Sequence, residues 1–67
     1  MSPKRLSHVL KKLRNARGLT QEQVAEKAGL SKNFIRMLET GTRTSPSLPV
    51  LKRLAKALGV PVTELLG

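Results

Sequence analysis

The chain has no cysteine, tryptophan or tyrosine. Without cysteine neither a disulfide nor a thiolate metal site can hold the fold, and the one histidine, His8, cannot fill the ligand set of a structural zinc site. Aspartate is absent as well. The only acids are Glu22, Glu26, Glu39 and Glu64, which leaves little for acid-base, nucleophilic or metal-assisted chemistry and points away from an enzyme, a cofactor or a bound metal. Apolar runs are never longer than two residues, so neither a membrane helix nor the apolar segment of a secretory signal is expected. The expected location is the cytoplasm.

What the chain has in excess is positive charge. Its 67 residues carry 13 Lys and Arg against 4 acids, a formal charge of +9. Residues 1–17 contain Lys4, Arg5, Lys11, Lys12, Arg14 and Arg17 and no acid, so one end is far more positive than the rest. A field of this sign attracts polyanions such as nucleic acid or acidic membranes. A chain so short buries only about 60% of its unfolded surface, and we expect one domain over 1–67 with no large cleft.

The periodicity is helical throughout. Leu6, Val9, Leu10 and Leu13 fall on one face of a first helix, with Ser2 and Pro3 placed as N-cap and first-turn proline and Gly18 as its stop. Thr20 and Gln23 form a capping-box pattern that opens a second helix, and Leu19 can pack on Val24 as a staple. That helix runs to Ala28 before Gly29. Ser31 then caps a third, which carries Ile35 and Leu38 inward and ends near Thr40 ahead of Gly41. Residues 42–46 read as polar loop. Ser47 caps a fourth helix with Pro49 in its first turn, a face of Leu51, Leu54, Ala55 and Leu58, and a stop at Gly59. Residues 60–66 add a last turn or two of helix near Pro61.

The informative spacing is Gln21, Val24, Ala25, Ala28, Gly29, Leu30, Ile35 and Leu38. A helix-turn-helix needs a small residue at the crossing, a turn residue tolerant of positive φ, and apolar residues that lock the second helix across the first. Ala25, Gly29 and the set Val24, Leu30, Ile35 and Leu38 meet these needs, giving a unit over about 20–40. Its third helix would present an outward face that the major groove of B-DNA can admit.

Over nearly its whole length the chain resembles the phage repressor and Cro type of helix-turn-helix proteins, the xenobiotic response element family. The resemblance is carried by Leu13-Arg14, Gly18-Leu19-Thr20-Gln21, Val24-Ala25, Ala28-Gly29-Leu30-Ser31, Ile35, Leu38-Glu39, Gly41 and the run from Leu54 to Val60. It implies an all-α, five-helix bundle of the lambda-repressor-like type. It further implies a bacterial or phage-encoded, nucleoid-associated regulator, a repressor by preference, that binds double-stranded operator DNA as a homodimer. By position it implies base-edge contacts from Lys32, Asn33, Arg36 and Met37. Phosphate contacts are implied for Thr20, Gln21 and Arg14 and for the loop residues Thr40, Thr42, Arg43 and Thr44. Exposed amides at a helix start suit an anion in any case. The resemblance also implies that Arg14 pairs with Glu39, and Glu39 is read as the only acid near the DNA side.

Several positions have a plainer reading. Lys32 and Arg36 suit a solvated face, Asn33 can assist capping of its own helix, and Met37 can fill the core rather than meet a thymine methyl. Phe34 reads as packing and His8 as surface. A dimer surface is expected at Val60, Val62, Leu65 and Leu66, with palindromic half-sites about 34 Å or ~10 base pairs apart. An alternative from another class is an antitoxin that binds a toxin protein and autoregulates its operon. Membrane docking through the first helix is disfavoured because its apolar residues are needed inside, and RNA binding would rest on one phenylalanine for stacking.

Overall fold

The computed structural model describes residues 3–43 and 45–66. The cap expected at Ser2 and the phosphate contact expected at Thr44 lie outside the described residues. Five helices follow one another: α1 Pro3–Ala16, α2 Gln21–Ala28, α3 Lys32–Thr40, α4 Leu48–Leu58 and α5 Thr63–Leu66. The described residues contain no strand, so the architecture is all-α. None of the described helices is long and apolar enough to cross a membrane.

Local chemistry fixes the boundaries. Thr20 Oγ1 accepts from Gln23 N at 3.1 Å while Gln23 Oε1 accepts from Thr20 N at 2.8 Å, a reciprocal pair that satisfies two otherwise orphaned donors. Ser31 Oγ accepts from Phe34 N at 3.0 Å and opens α3. Ser47 Oγ accepts from Val50 N and opens α4, whose first turn takes Pro49 because an N–H is not needed there. The α5 segment begins only at Thr63, two residues after Pro61. The Pro61 and Val62 carbonyls accept from Glu64 N and Leu65 N and start the turn.

The helix ends differ in an instructive way. After α1, α2 and α4 the residue following glycine donates back into the helix: Leu19 N to Arg14 O, Leu30 N to Ala25 O, and Val60 N to Ala55 O. Each apolar residue is thereby turned against the core. At the α2 end Gly29 holds φ 69°, which a residue with a Cβ adopts only with strain. Gly41, at φ 83°, also ends α3 in the left-handed region. There, however, the carbonyl of Met37 is reached by Arg43 N at 3.0 Å, one residue later than at the other ends. The chain leaves α3 with polar residues outward instead of returning an apolar one.

Leu6 and Leu10 of α1, Val24, Ala25 and Ala28 of α2, Ile35 and Leu38 of α3, Leu51, Leu54, Ala55 and Leu58 of α4, and Leu65 of α5 form one core. α2 packs against α3 and α4, α1 against α3 and α5, and α4 against α5. Ala25 and Ala28 let α2 come close to its neighbours, and Val24 and Ile35 lock the two helices of the turn. Burying a Leu or Ile side chain is worth about 1.5–3 kcal/mol, so the inner face of α3 is strongly determined. Its outer face is correspondingly fixed outward.

Candidate nucleic-acid interface

Advancing about 100° per residue, α3 places Lys32, Asn33, Arg36, Met37 and Thr40 on the side opposite Ile35 and Leu38. Lys32, Asn33, Arg36 and Thr40 are exposed, and Met37 is half-buried. The face is cationic and polar with one thioether. Asn33 does not cap α3, since Ser31 accepts the Phe34 amide. Its Oδ1 instead accepts from Arg36 Nη2 at 2.7 Å.

One flank of this face is closed by charge. Arg14 Nε donates to Glu39 Oε2 at 2.6 Å and Arg14 Nη2 to Glu39 Oε1 at 3.0 Å, a bidentate pair. Arg14 Nη1 donates to Leu19 O at 2.8 Å, and Gln21 Nε2 donates to Glu39 Oε1 at 3.3 Å. The two charged side chains are only 12% and 4% exposed. The hydrogen bond to Glu39 raises the Arg14 pKa above its ordinary value, with burial opposing and the Glu39 charge assisting, so the guanidinium stays charged. This network joins the end of α1, the entry to α2 and the end of α3. It also neutralises the Glu39 carboxylate, which would otherwise repel a phosphate.

In front of the α2 amides lies an open groove of about 530 Å³, with Arg14, Thr20, Gln21, Glu22 and Lys32 among its walls. Thr20, Gln21, Arg14 and Lys32, assigned from the sequence to DNA, are thus brought together. The Thr20 hydroxyl accepts the cap bond and keeps its own O–H to donate. Glu22 corrects the expectation that Glu39 is the only acid on this side. It occupies the first turn of α2, where a carboxylate is favoured by the helix dipole.

The other flank is built from Arg43 and Phe34. The Arg43 guanidinium lies over the Phe34 ring, 5.1 Å from its centroid, and its backbone is tied to Met37 O. Thr40 Oγ1 donates to Met37 O at 3.2 Å and shares a 3.0 Å hydroxyl bond with Thr42. The loop is therefore held against α3 by several bonds. Phe34 packs its inner side on the core and offers its outer side to Arg43, a pairing the sequence analysis did not foresee.

Away from this side the chain's own core takes Leu65, which is 1% exposed. It packs inside the protomer and corrects the expectation of a dimer contact there. Val60 and Val62 are half-buried against the core, while Leu66 is 40% exposed. Leu48, at the start of α4, is 49% exposed and was not singled out from the sequence. Arg17, counted only as charge, donates from Nε to the Leu58 carbonyl and ties α1 to the end of α4. A second open groove, of about 690 Å³, lies at the far end of α2 beside Lys27 and Lys56. Those lysines stand in the last turns of α2 and α4, where carbonyl ends favour cations, so the helices themselves account for them.

Residues 10–65 match the family model described as helix-turn-helix. The chain is 43% identical over 58 residues to the immunity repressor protein of Bacillus phage phi105, covering 87% of this chain and 40% of that one. It is 43% identical over 61 residues to the cryptic phage CTXphi transcriptional repressor RstR of Vibrio cholerae, covering 91% of this chain and 54% of the relative. The chain thus spans about half the length of these two curated relatives. Among solved structures, the biofilm master regulator SinR in complex with DNA superposes with a TM-score of 0.88 at 31% identity, covering 92% of this chain and 98% of that one.

Proposed function

The chain belongs to the helix-turn-helix family, and from that premise we propose that it is a sequence-specific transcriptional regulator, a repressor, that lays the outward face of α3 in the major groove of double-stranded DNA. The observation that carries this reading is the two-sidedness of α3. Ile35 and Leu38 are fully buried, while Lys32, Asn33 and Arg36 are exposed, Lys32 in the wall of the groove at the start of α2. Base-edge contacts are assigned to Lys32, Asn33, Arg36 and Met37. Phosphate contacts are assigned to Thr20, Gln21, Thr40, Thr42, Arg43 and Thr44. Arg14 contributes to the phosphate side with the two guanidinium hydrogens its internal bonds leave over. Relatives named as repressors, and a structural neighbour solved on DNA, support the same reading.

One short helix reads too few base pairs to define a site, so the functional unit is a homodimer on a palindromic operator. Half-sites then lie about 34 Å apart, which puts both α3 helices on one face of the duplex. The exposed Leu66 contributes to the dimer surface with the accessible parts of Val60 and Val62. The antitoxin alternative has no observation in its favour and is set aside. Selection of bound duplexes from a random pool tests the proposal: it should return a two-fold symmetric consensus. A single asymmetric site bound by monomer, or no consensus at all, contradicts it. Sedimentation with the selected duplex should show two protomers per site.

A further inference from the structure

Asn33 and Arg36 are both exposed, one helical turn apart, and joined by a 2.7 Å bond. The fold gains little from this bond: Ser31 already caps α3, and the core residues of the helix are Ile35 and Leu38. Its effect falls on Arg36. A guanidinium on a flexible stem loses rotamer freedom when it engages a partner, and the tether to Asn33 removes part of that freedom beforehand. Of the five N–H donors of a guanidinium, one is engaged by Asn33, and the remainder suffice for the two acceptors, O6 and N7, that guanine shows in the major groove.

The same bond argues against an independent role for Asn33. An asparagine reads adenine by presenting its oxygen to N6–H and its amide hydrogens to N7 together. Here the oxygen already holds a charge-assisted donor, and such bonds are roughly twice as strong as neutral ones. Turning the amide to adenine would exchange this bond for two neutral ones of about the same combined strength, so adenine offers Asn33 little beyond what the tether already supplies. We infer that Asn33 is a positioning residue that aims Arg36 at a guanine and does not itself specify an adenine. The inference rests on the proposal that the outward face of α3 meets base edges; within that face it replaces the base contact of Asn33 by support of Arg36 and leaves Lys32 and Met37 as they stand.

The test compares duplexes selected from a random pool by the unaltered protein and by Arg36→Ala, Asn33→Ala and Asn33→Asp, with thermal melts confirming that each variant folds. Arg36→Ala should erase the preference for guanine at one position of each half-site. Asn33→Ala should weaken the preference at that same position, by roughly tenfold for the loss of one charge-assisted bond, and leave the other positions unchanged. Asn33→Asp keeps the acceptor, so the guanine preference should survive although overall affinity falls from the added negative charge. Relaxation at a different base pair in Asn33→Ala would overturn the inference, as would an undiminished guanine preference. Unchanged preferences at every position in Arg36→Ala would sink the underlying reading of α3, and the inference with it.

Discussion

Arg14 and Arg43 stand on the two flanks of α3 and put the same charge to different use. Their contacts on the helix, Glu39 and Phe34, are five residues apart, about 140° around the axis on the inward side. Arg14 turns three donor atoms inward, to the Glu39 carboxylate and the Leu19 carbonyl, and keeps 12% of its side chain exposed. Arg43 is exposed and holds its guanidinium over the Phe34 ring, 5.1 Å from the centroid. A cation–π contact of this kind uses the charge and occupies no hydrogen-bond acceptor, so N–H donors remain for a phosphate. One arginine uses three of its five N–H donors to hold three helices in register and leaves two for a phosphate, while the other is exposed to solvent. The count of 13 Lys and Arg therefore overstates the cations free to meet a polyanion, since Glu39 offsets Arg14 and the Leu58 carbonyl holds a donor of Arg17.

If this division is right, substitutions on the two flanks separate stability from binding. The largest effect is expected at Glu39→Ala, which leaves Arg14 without its carboxylate and should lower unfolding free energy by about 2 kcal/mol in denaturant titration. The figure sits below that for a fully buried pair because Arg14 retains a path to solvent. Wild-type stability in this variant would show the network to be ornamental. On the outward face, Arg36→Ala should cost about 1–3 kcal/mol on the selected duplex and much less on random DNA, checked by competition binding. Equal losses on both would make Arg36 a phosphate contact.

Smaller changes sharpen the same contrast. Thr20→Ala removes the α2 cap and should cost about 1 kcal/mol of stability, seen as a lowered thermal midpoint. A raised arginine pKa contributes stability that is complete below the unfolded value and is lost only as pH climbs through the folded one. Denaturant titrations across neutral and mildly alkaline pH should therefore find the Arg14 contribution constant. The smallest effect is expected at Phe34→Leu, which keeps apolar volume but removes the ring under Arg43. It should weaken binding by about 0.5–1 kcal/mol on selected and random duplexes alike.

Much of the fold was legible because its determinants are local. Thr20 with Gln23, Ser31, Ser47 and the glycine stops mark the helix ends, and the spacing of Val24, Leu30, Ile35 and Leu38 sets the crossing of α2 and α3. What could not be read depends on packing between distant segments. A four-residue α5 is too short for periodicity to say which of Leu65 and Leu66 faces inward. The bond from Arg17 to Leu58 spans 41 positions and leaves no local trace. The Arg43–Phe34 stack follows from the shifted closure of α3 on Met37. Its only hint is that glycine is followed by Leu, Leu and Val at the other ends but by Thr and Arg after Gly41.

The most direct test of the contrast between the two arginines is the salt dependence of binding by Arg43→Ala, measured on the selected duplex and on random DNA. Releasing one phosphate contact should reduce the slope of log K against log salt by about 0.9, and by about twice that for a symmetric dimer. Affinity should fall by a similar factor on both duplexes with sequence preference retained, because a phosphate looks nearly alike beside every base pair. An unchanged slope, or a loss confined to the selected duplex, would contradict the assignment of Arg43 to the DNA backbone.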